Sequence, residues 1–243
     1  MGQMFLGECY LDGVGVVPDR EKGLYWAEKS ANQGYEPAMH DLGVRYDKGR
    51  GLGVDINKSV YWLDKAVQED FPPSQSYHGS NYYNGTGVIQ NVRDAKRLYE
   101  KAAMRGDANG QLNLGAMYMS GHGVVRNNIK AIAWFRLSAE SGNETAQAYI
   151  QKYHGKLDDI DMAKVEKQYI EYKNAIQPFE NPLDPNQYVE PEVIDYIKNL
   201  DKVLSGQELS ERLNFNGFSV EPPDGDGWTG LGVVDKSSAV GFY

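Results

Sequence analysis

Apolar and polar positions along this chain follow a pattern that renews itself every 36 residues. "LGECYLDGVGVVPD" begins at Leu6, "LGVRYDKGRGLGVD" at Leu42, "HGSNYYNGTGVIQN" at His78 and "LGAMYMSGHGVVRN" at Leu114, with no insertion or deletion between them. Gly7, Gly43, Gly79 and Gly115 fall in register, and so do Tyr10, Tyr46, Tyr82 and Tyr118. The glycine pairs that open at Gly13, Gly49, Gly85 and Gly121 follow, then Asp19, Asp55, Asn91 and Asn127, then Trp26, Trp62, Leu98 and Trp134. A fixed period of this length means stacked supersecondary units.

The second copy shows how a unit is built. Pro37 suits the first helical position, where a missing N–H costs nothing. Ala38, Leu42, Tyr46 and Gly49 lie along one helical stripe. The glycines of "KGRGLG" end that helix because they can take positive φ. Asp55 is placed to cap the next helix through its carboxylate, and that helix carries Val60, Trp62, Leu63, Ala66 and Val67. Gly34 and Gly142 stand where a helix C-terminal cap belongs, whereas Asp70 takes the place in the second copy. The unit is helix, turn, helix, and the fold class is all-α. A glycine inside the first helix costs about 1 kcal/mol relative to alanine. Its recurrence predicts that two helices approach closely there.

Beyond the repeats, "ETAQAYIQKYHG" starts a fifth unit. Ala146 and Ile150 keep the stripe, while Gln151 and His154 replace the glycine and tyrosine. Residues 159–176 read as one longer helix, with Asp158 or Asp159 as cap and Ile160, Val165, Tyr169 and Ile176 as its stripe. A stack of repeats needs its hydrophobic end covered, and this helix is suited to that. The expected organisation is a repeat domain over 1–176, with units about 2–37, 38–73, 74–109 and 110–145 followed by capping helices. Residues 177–243 form a proline-containing linker, two short helices and an irregular acidic tail, in which the stretch after Gly217 holds one strand.

Net charge is −9, and residues 177–243 hold twelve of the 34 acidic groups against four of the 25 basic ones. Nucleic acid needs a basic face, and neither half supplies one. There is no apolar run near 18 residues, so no membrane span is expected. The opening "MGQMFLGECY" lacks a secretory pattern and falls inside a repeat helix, as in a chain whose natural start lies upstream. The expected location is the cytoplasm, or outside a bacterium without a visible N-terminal signal. Cys9 is the only cysteine, so no intrachain disulfide forms.

Little in the chain points to catalysis or to a cofactor. His40, His78, His122 and His154 show no metal-ligand spacing. Cys9 sits beside the stripe with no local base, which suits a core position. The glycine pairs lack the G-K-[ST] of a phosphate loop. "DGDGW" at 224–228 opens like a calcium loop, but Thr229 occupies its glycine position.

The A-x-x-x-L-G-x-x-Y-x-x-G-x-G pattern, whole in "AMHDLGVRYDKGRG" and followed by Asp55, Trp62 and Ala66, resembles the Sel-one-like repeat family, relatives of tetratricopeptide repeats. The likeness covers residues 2–146 and runs loosely to 176. His78 for leucine, Leu98 for tryptophan and "EDFPPS" at a joint depart from it. The resemblance implies a right-handed α-solenoid that serves as a non-enzymatic protein-interaction scaffold, in bacterial signalling or in contact with host cells. A second likeness sits in "NGFSVEPPDGDGWTGLGV", which resembles the entry segment of ovarian-tumour-like cysteine proteases with Gly227 where the nucleophile belongs. It implies the alternative of a regulatory arm or truncated remnant of such a protease.

For a scaffold, the candidate partner surface is the side of each first helix away from the stripe. At 100° per residue this holds His40, Val44, Asp47 and Lys48, then Ser80, Tyr83 and Asn84, then Leu112, Ala116 and Met119. These positions vary between repeats while the stripe does not. They are expected to line the concave surface, with Tyr83 as anchor for a protein or peptide. The competing expectation is that the capping helix at 159–176 covers the apolar end.

Overall fold

The computed structural model describes residues 2–153 and 158–180, and every regular element among them is an α-helix. His154, the two short helices and strand expected after 181, and the protease-like and calcium-like stretches lie outside the described residues. The helices are α1 (Gly2–Asp12), α2 (Arg20–Asn32), α3 (Glu36–Lys48), α4 (Ile56–Gln68), α5 (Pro72–Asn84), α6 (Val92–Met104), α7 (Ala108–Ser120), α8 (Asn128–Glu140), α9 (Glu144–Tyr153) and α10 (Asp159–Ala175). From α2 to α8 each helix is 13 residues long, and helices of the same kind start 36 apart.

Local chemistry sets these boundaries. Asp19, Asp55, Asn91 and Asn127 are the N-caps of α2, α4, α6 and α8, each with its side-chain oxygen accepting from a backbone N–H of the first turn. Gly49, Gly85 and Gly121 end α3, α5 and α7 in the left-handed conformation. At the joint between units the chain again needs positive φ. Gly34, Gly106 and Gly142 supply it, and Asp70 adopts φ +56°, alone among the described non-glycine residues. Its carboxylate accepts from Gln75 Nε2 at 3.1 Å, which helps hold a conformation aspartate tolerates better than most residues.

The chain divides into two compact units, one holding α1–α3 up to Val54 and one running from Asp55 to Glu180. In the first, α1 and α2 form a hairpin on which α3 packs. A Cβ added at Gly7 would stand 2.9 Å from Ala27 N and 3.0 Å from Gly23 O, so the two backbones touch there. In the second, α5–α6 and α7–α8 are hairpins stacked on each other, α9 lies on α8, and α10 also packs on α8. Tyr99 and Phe135 fill the notches at Gly79 and Gly115. One core joins Tyr99, Leu114, Met117, Trp134, Leu137 and Tyr169.

The departures in the third repeat leave its geometry intact. His78 is buried in the leucine register, with Nε2 2.9 Å from Asp64 Oδ1 and its ring edge-on to Tyr82. Leu98 is buried in the tryptophan register. Val165 and Tyr169 of α10 are buried as expected. Asp158 is the residue that caps α10, its side chain accepting from Asp161 N.

The notch at Gly115 makes a direct test. A Cβ there would lie 2.7 and 2.8 Å from Phe135 Cε1 and Cδ1 and 3.1 Å from Ala131 O. Gly115→Ala is expected to destabilise by about 1–3 kcal/mol, the range for overpacking a tight core. In urea titrations, adding Phe135→Leu should make that substitution cheaper than in the unmodified chain. Strictly additive losses would show that the ring and the glycine do not share the notch.

Candidate protein-interaction surface

In the first unit, His40, Val44, Asp47 and Lys48 lie on one side of α3. Lys48 is exposed, and the other three are half-buried. Burial pushes the His40 imidazole down to about 4, so it is neutral at pH 7. The Asp47 carboxylate lies 2.7 Å from Lys48 Nζ.

The same unit encloses an ionic cluster that the repeat pattern gave no hint of. Arg45 is 3% exposed. Its guanidinium donates through Nη1 and Nη2 to both Asp12 oxygens, at 2.8 and 2.6 Å, and through Nε to Asp41 Oδ2 at 2.6 Å. This bidentate geometry is the strong form of an arginine–carboxylate pair. Glu8 adds a third carboxyl. Its burial, then the charges of Asp41 and Asp12, raise its pKa to about 7 against the pull of Arg45 and Arg50. Burial also raises Asp41. The register of Arg45 is held by Cys9, Asn81 and Met117 in the other repeats, so periodicity does not reveal it. The one local signal was the i,i+4 pair of Asp41 and Arg45.

In the second unit, Ser80 is drawn inward. Its hydroxyl donates to Ser76 O at 3.2 Å and accepts from Tyr99 Oη at 3.0 Å. Tyr83 is half-buried, with its hydroxyl 2.8 Å from His122 Nδ1 and the two rings edge-on at 5.0 Å. Asn84 and His122 are exposed beside it. Leu112, Ala116 and Met119 go elsewhere. They pack against Ala131, Phe135 and Ala146, together with Tyr149 and Ile150. Residues of α8 and α9 together therefore cover this apolar end. α9 takes the first-helix place in the chain order and packs on α8. Ile89 and Val125, at equivalent turn positions, are 90% and 88% exposed.

Among the described residues no cluster of His, Cys, Asp and Glu could hold a metal ion, and no helix is long and apolar enough to cross a membrane. Cys9 is buried.

The Sel1 repeat family model matches residues 1–35, 36–71, 72–107 and 108–143. The chain belongs to the Sel1 repeat family, whose members generally act as protein–protein interaction scaffolds. A Sel1 repeat protein from Oxalobacter formigenes is similar in structure, with 35% identity and a TM-score of 0.55 over 63% of this chain and 44% of that one. So is c5321, a protective antigen present in uropathogenic Escherichia coli strains and displaying an SLR fold, with 25% identity and a TM-score of 0.58 over 88% of this chain and 48% of that one. This chain thus spans about half the length of either relative. No match was found among curated proteins.

The Glu8 cluster predicts a pH dependence. The folded pKa of about 7 lies above the unfolded 4.5. The folded state therefore binds more protons between these values, and stability falls as pH rises from 4.5 through 7. The contribution is at most about 3 kcal/mol. Urea midpoints at pH 5.5 and 8 should show Glu8→Gln gaining on the unmodified chain at pH 8. An equal gap at both pH values would contradict the assignment.

Proposed function

We propose that this Sel1 repeat chain is a non-catalytic adaptor that binds a partner protein or peptide on the outward side of its first helices. In the second unit the binding surface centres on Tyr83 and Asn84, and in the first on His40, Val44, Asp47 and Lys48. The carrying observation is Tyr83 paired with His122 across two repeats: a preordered aromatic with exposed polar neighbours. Interface anchors favour tyrosine in such settings. Leu112, Ala116 and Met119 support this surface from within, since they pack against the cluster of Ala131, Phe135 and Ala146. The work of such an adaptor is bacterial signalling or contact with a host, inside the cytoplasm or after export. The antigen from uropathogenic E. coli supports the host-facing half of that reading.

Affinity capture from the native cell, read by mass spectrometry, supplies the partner. Tyr83→Ala should then weaken its binding about 30-fold, equivalent to about 2 kcal/mol at a hot spot. Asp47→Ala tests the first unit's share. Unchanged affinity in both, with unaltered circular dichroism melts, would move the interface off these helix faces.

A further inference from the structure

The turns of the second unit carry a feature that neither the hairpins nor the partner surface uses. Each runs from a left-handed glycine to a capping asparagine, Gly85 to Asn91 after α5 and Gly121 to Asn127 after α7. Gly87 and Gly123 between them also take positive φ, at 69° and 77°. Asn91 N–H donates to the Tyr82 carbonyl at 2.8 Å, and Asn127 N–H to the Tyr118 carbonyl at 2.9 Å. The two turns share one conformation, so Ile89 and Val125 leave it at the same point, 90% and 88% exposed. They also stand along one edge. A Cβ at Gly123 would lie 2.3 Å from Val92 Cγ1 at the start of α6, and one at Gly87 2.3 Å from Ile56 Cγ2 at the start of α4. In the first unit Val17, in the same register, is 85% exposed.

Cations border these two tips. Arg93, four residues after Ile89, is exposed and pairs with no carboxylate among the described residues. Arg126, next to Val125, is exposed and turns its Nε to Asn128 Oδ1 at 3.4 Å. Lys130 Nζ stands 5.4 Å from the centre of the Tyr118 ring. Against them is Asp94, which accepts from Asn91 Nδ2 at 2.5 Å and lies 3.6 Å from Arg97. Lys96, further along α6, is taken by Glu100 at 2.6 Å. The edge is therefore positive in a chain whose net charge is −9. Its apolar tips are poor protein anchors, because interface hot spots favour Tyr, Trp and Arg and under-represent Val. Aliphatic tips flanked by cations suit a lipid surface, where apolar burial and attraction to anionic headgroups add.

We propose that this turn edge docks on an anionic membrane surface. Ile89 and Val125 enter the boundary between headgroups and acyl chains, and Arg93, Arg126 and Lys130 meet the headgroup phosphates and carboxylates. The contact is peripheral, since no helix among the described residues is long and apolar enough to cross a membrane. At physiological salt, exposed charges more than about 8 Å apart are largely screened, so the cations of the edge act despite the net charge of the whole chain. The inference goes beyond the adaptor reading, to which it adds a place of work, and it does not rest on the Tyr83 surface.

The test sediments the full chain with vesicles of phosphatidylcholine, alone or with about one-third phosphatidylserine. Partition onto the serine-bearing vesicles should be about tenfold the higher. Ile89→Ser combined with Val125→Ser should lower it about tenfold, and Arg93→Gln combined with Arg126→Gln by about as much. Raising the salt should weaken binding of the unmodified chain. An environment-sensitive dye on Ile89→Cys, with Cys9 buried, should shift to the blue on the serine-bearing vesicles. Absent pelleting with those vesicles, or equal pelleting of the folded serine pair, would overturn the proposal. Should the pair fail to fold, an unshifted dye would overturn it alone. A captured protein whose binding falls with the serine pair, while the chain ignores vesicles, would assign the edge to a protein and overturn the lipid. Capture that depends on Tyr83 while vesicle binding fails leaves the adaptor reading standing and removes only this edge.

Discussion

Two helices of a hairpin brought to backbone contact are the constraint on which the rest of this fold depends. The notch is made by the first-helix glycine, and what fills it is the residue twenty positions on: Ala27 for Gly7, Tyr99 for Gly79, Phe135 for Gly115. Alanine lets backbone meet backbone. An aromatic ring lays its edge in the notch and projects past it. Phe135 goes on to stack on Tyr149 at 4.7 Å and 7°, and the Tyr99 hydroxyl reaches Ser80. One missing side chain therefore sets the hairpin spacing, and at Phe135 the ring it admits also carries packing to the helix that follows the repeat. The propensity lost at the glycine, about 1 kcal/mol, is offset by a ring buried on both faces.

Features that repeat were legible in the sequence because each was visible four times over. The caps at Asp19, Asp55, Asn91 and Asn127, the left-handed glycines and the stripe through Leu42 and Tyr46 all stand where the period puts them. Even Asp70, which breaks the glycine rule, keeps the glycine's backbone conformation. Features that occur once were not legible. Arg45 pairs with Asp12, 33 residues away, and no other repeat offers that pair. Residues 177–180 read as linker because proline interrupts them, yet two backbone N–H groups there meet the open end of α6. Proline excludes helix at that point. It does not exclude an extended segment seated on one.

Variation between repeats was a partial guide to the surface, and the reason is physical. A position varies when it faces solvent, and equally when it faces a neighbour that itself varies. The register of Ser80 and Ala116 shows both cases. In α5 it receives a hydroxyl from Tyr99, and polar serine fits. In α7 the same side meets Phe135 and Tyr149, and Leu112, Ala116 and Met119 are apolar to match. Tyr83 and Asn84 lie at the C-terminal end of α5, beside the turn that carries His122. In α5 the free part is accordingly its last turn.

The end of the stack shows how a repeat array stops. A further hairpin laid on α8 would have to cover Trp134, and α10 does so with a tyrosine: Tyr172 stacks on the indole at 4.1 Å and 18°. Around that contact the surface becomes polar. The Arg136 guanidinium lies 4.2 Å from the Tyr169 ring centre, the Tyr169 hydroxyl donates to Glu140, and Lys173 Nζ reaches the same carboxylate at 2.9 Å. These groups give this side of α10 a polar outer rim, as suits a terminal unit. Because α10 lies along α8 and runs toward the end of α6, the residues after it arrive at carbonyls that the helix cannot satisfy itself. The direction of the capping helix thus determines which joint the following segment occupies, and capping the array and seating that segment are consequences of one packing choice at Trp134.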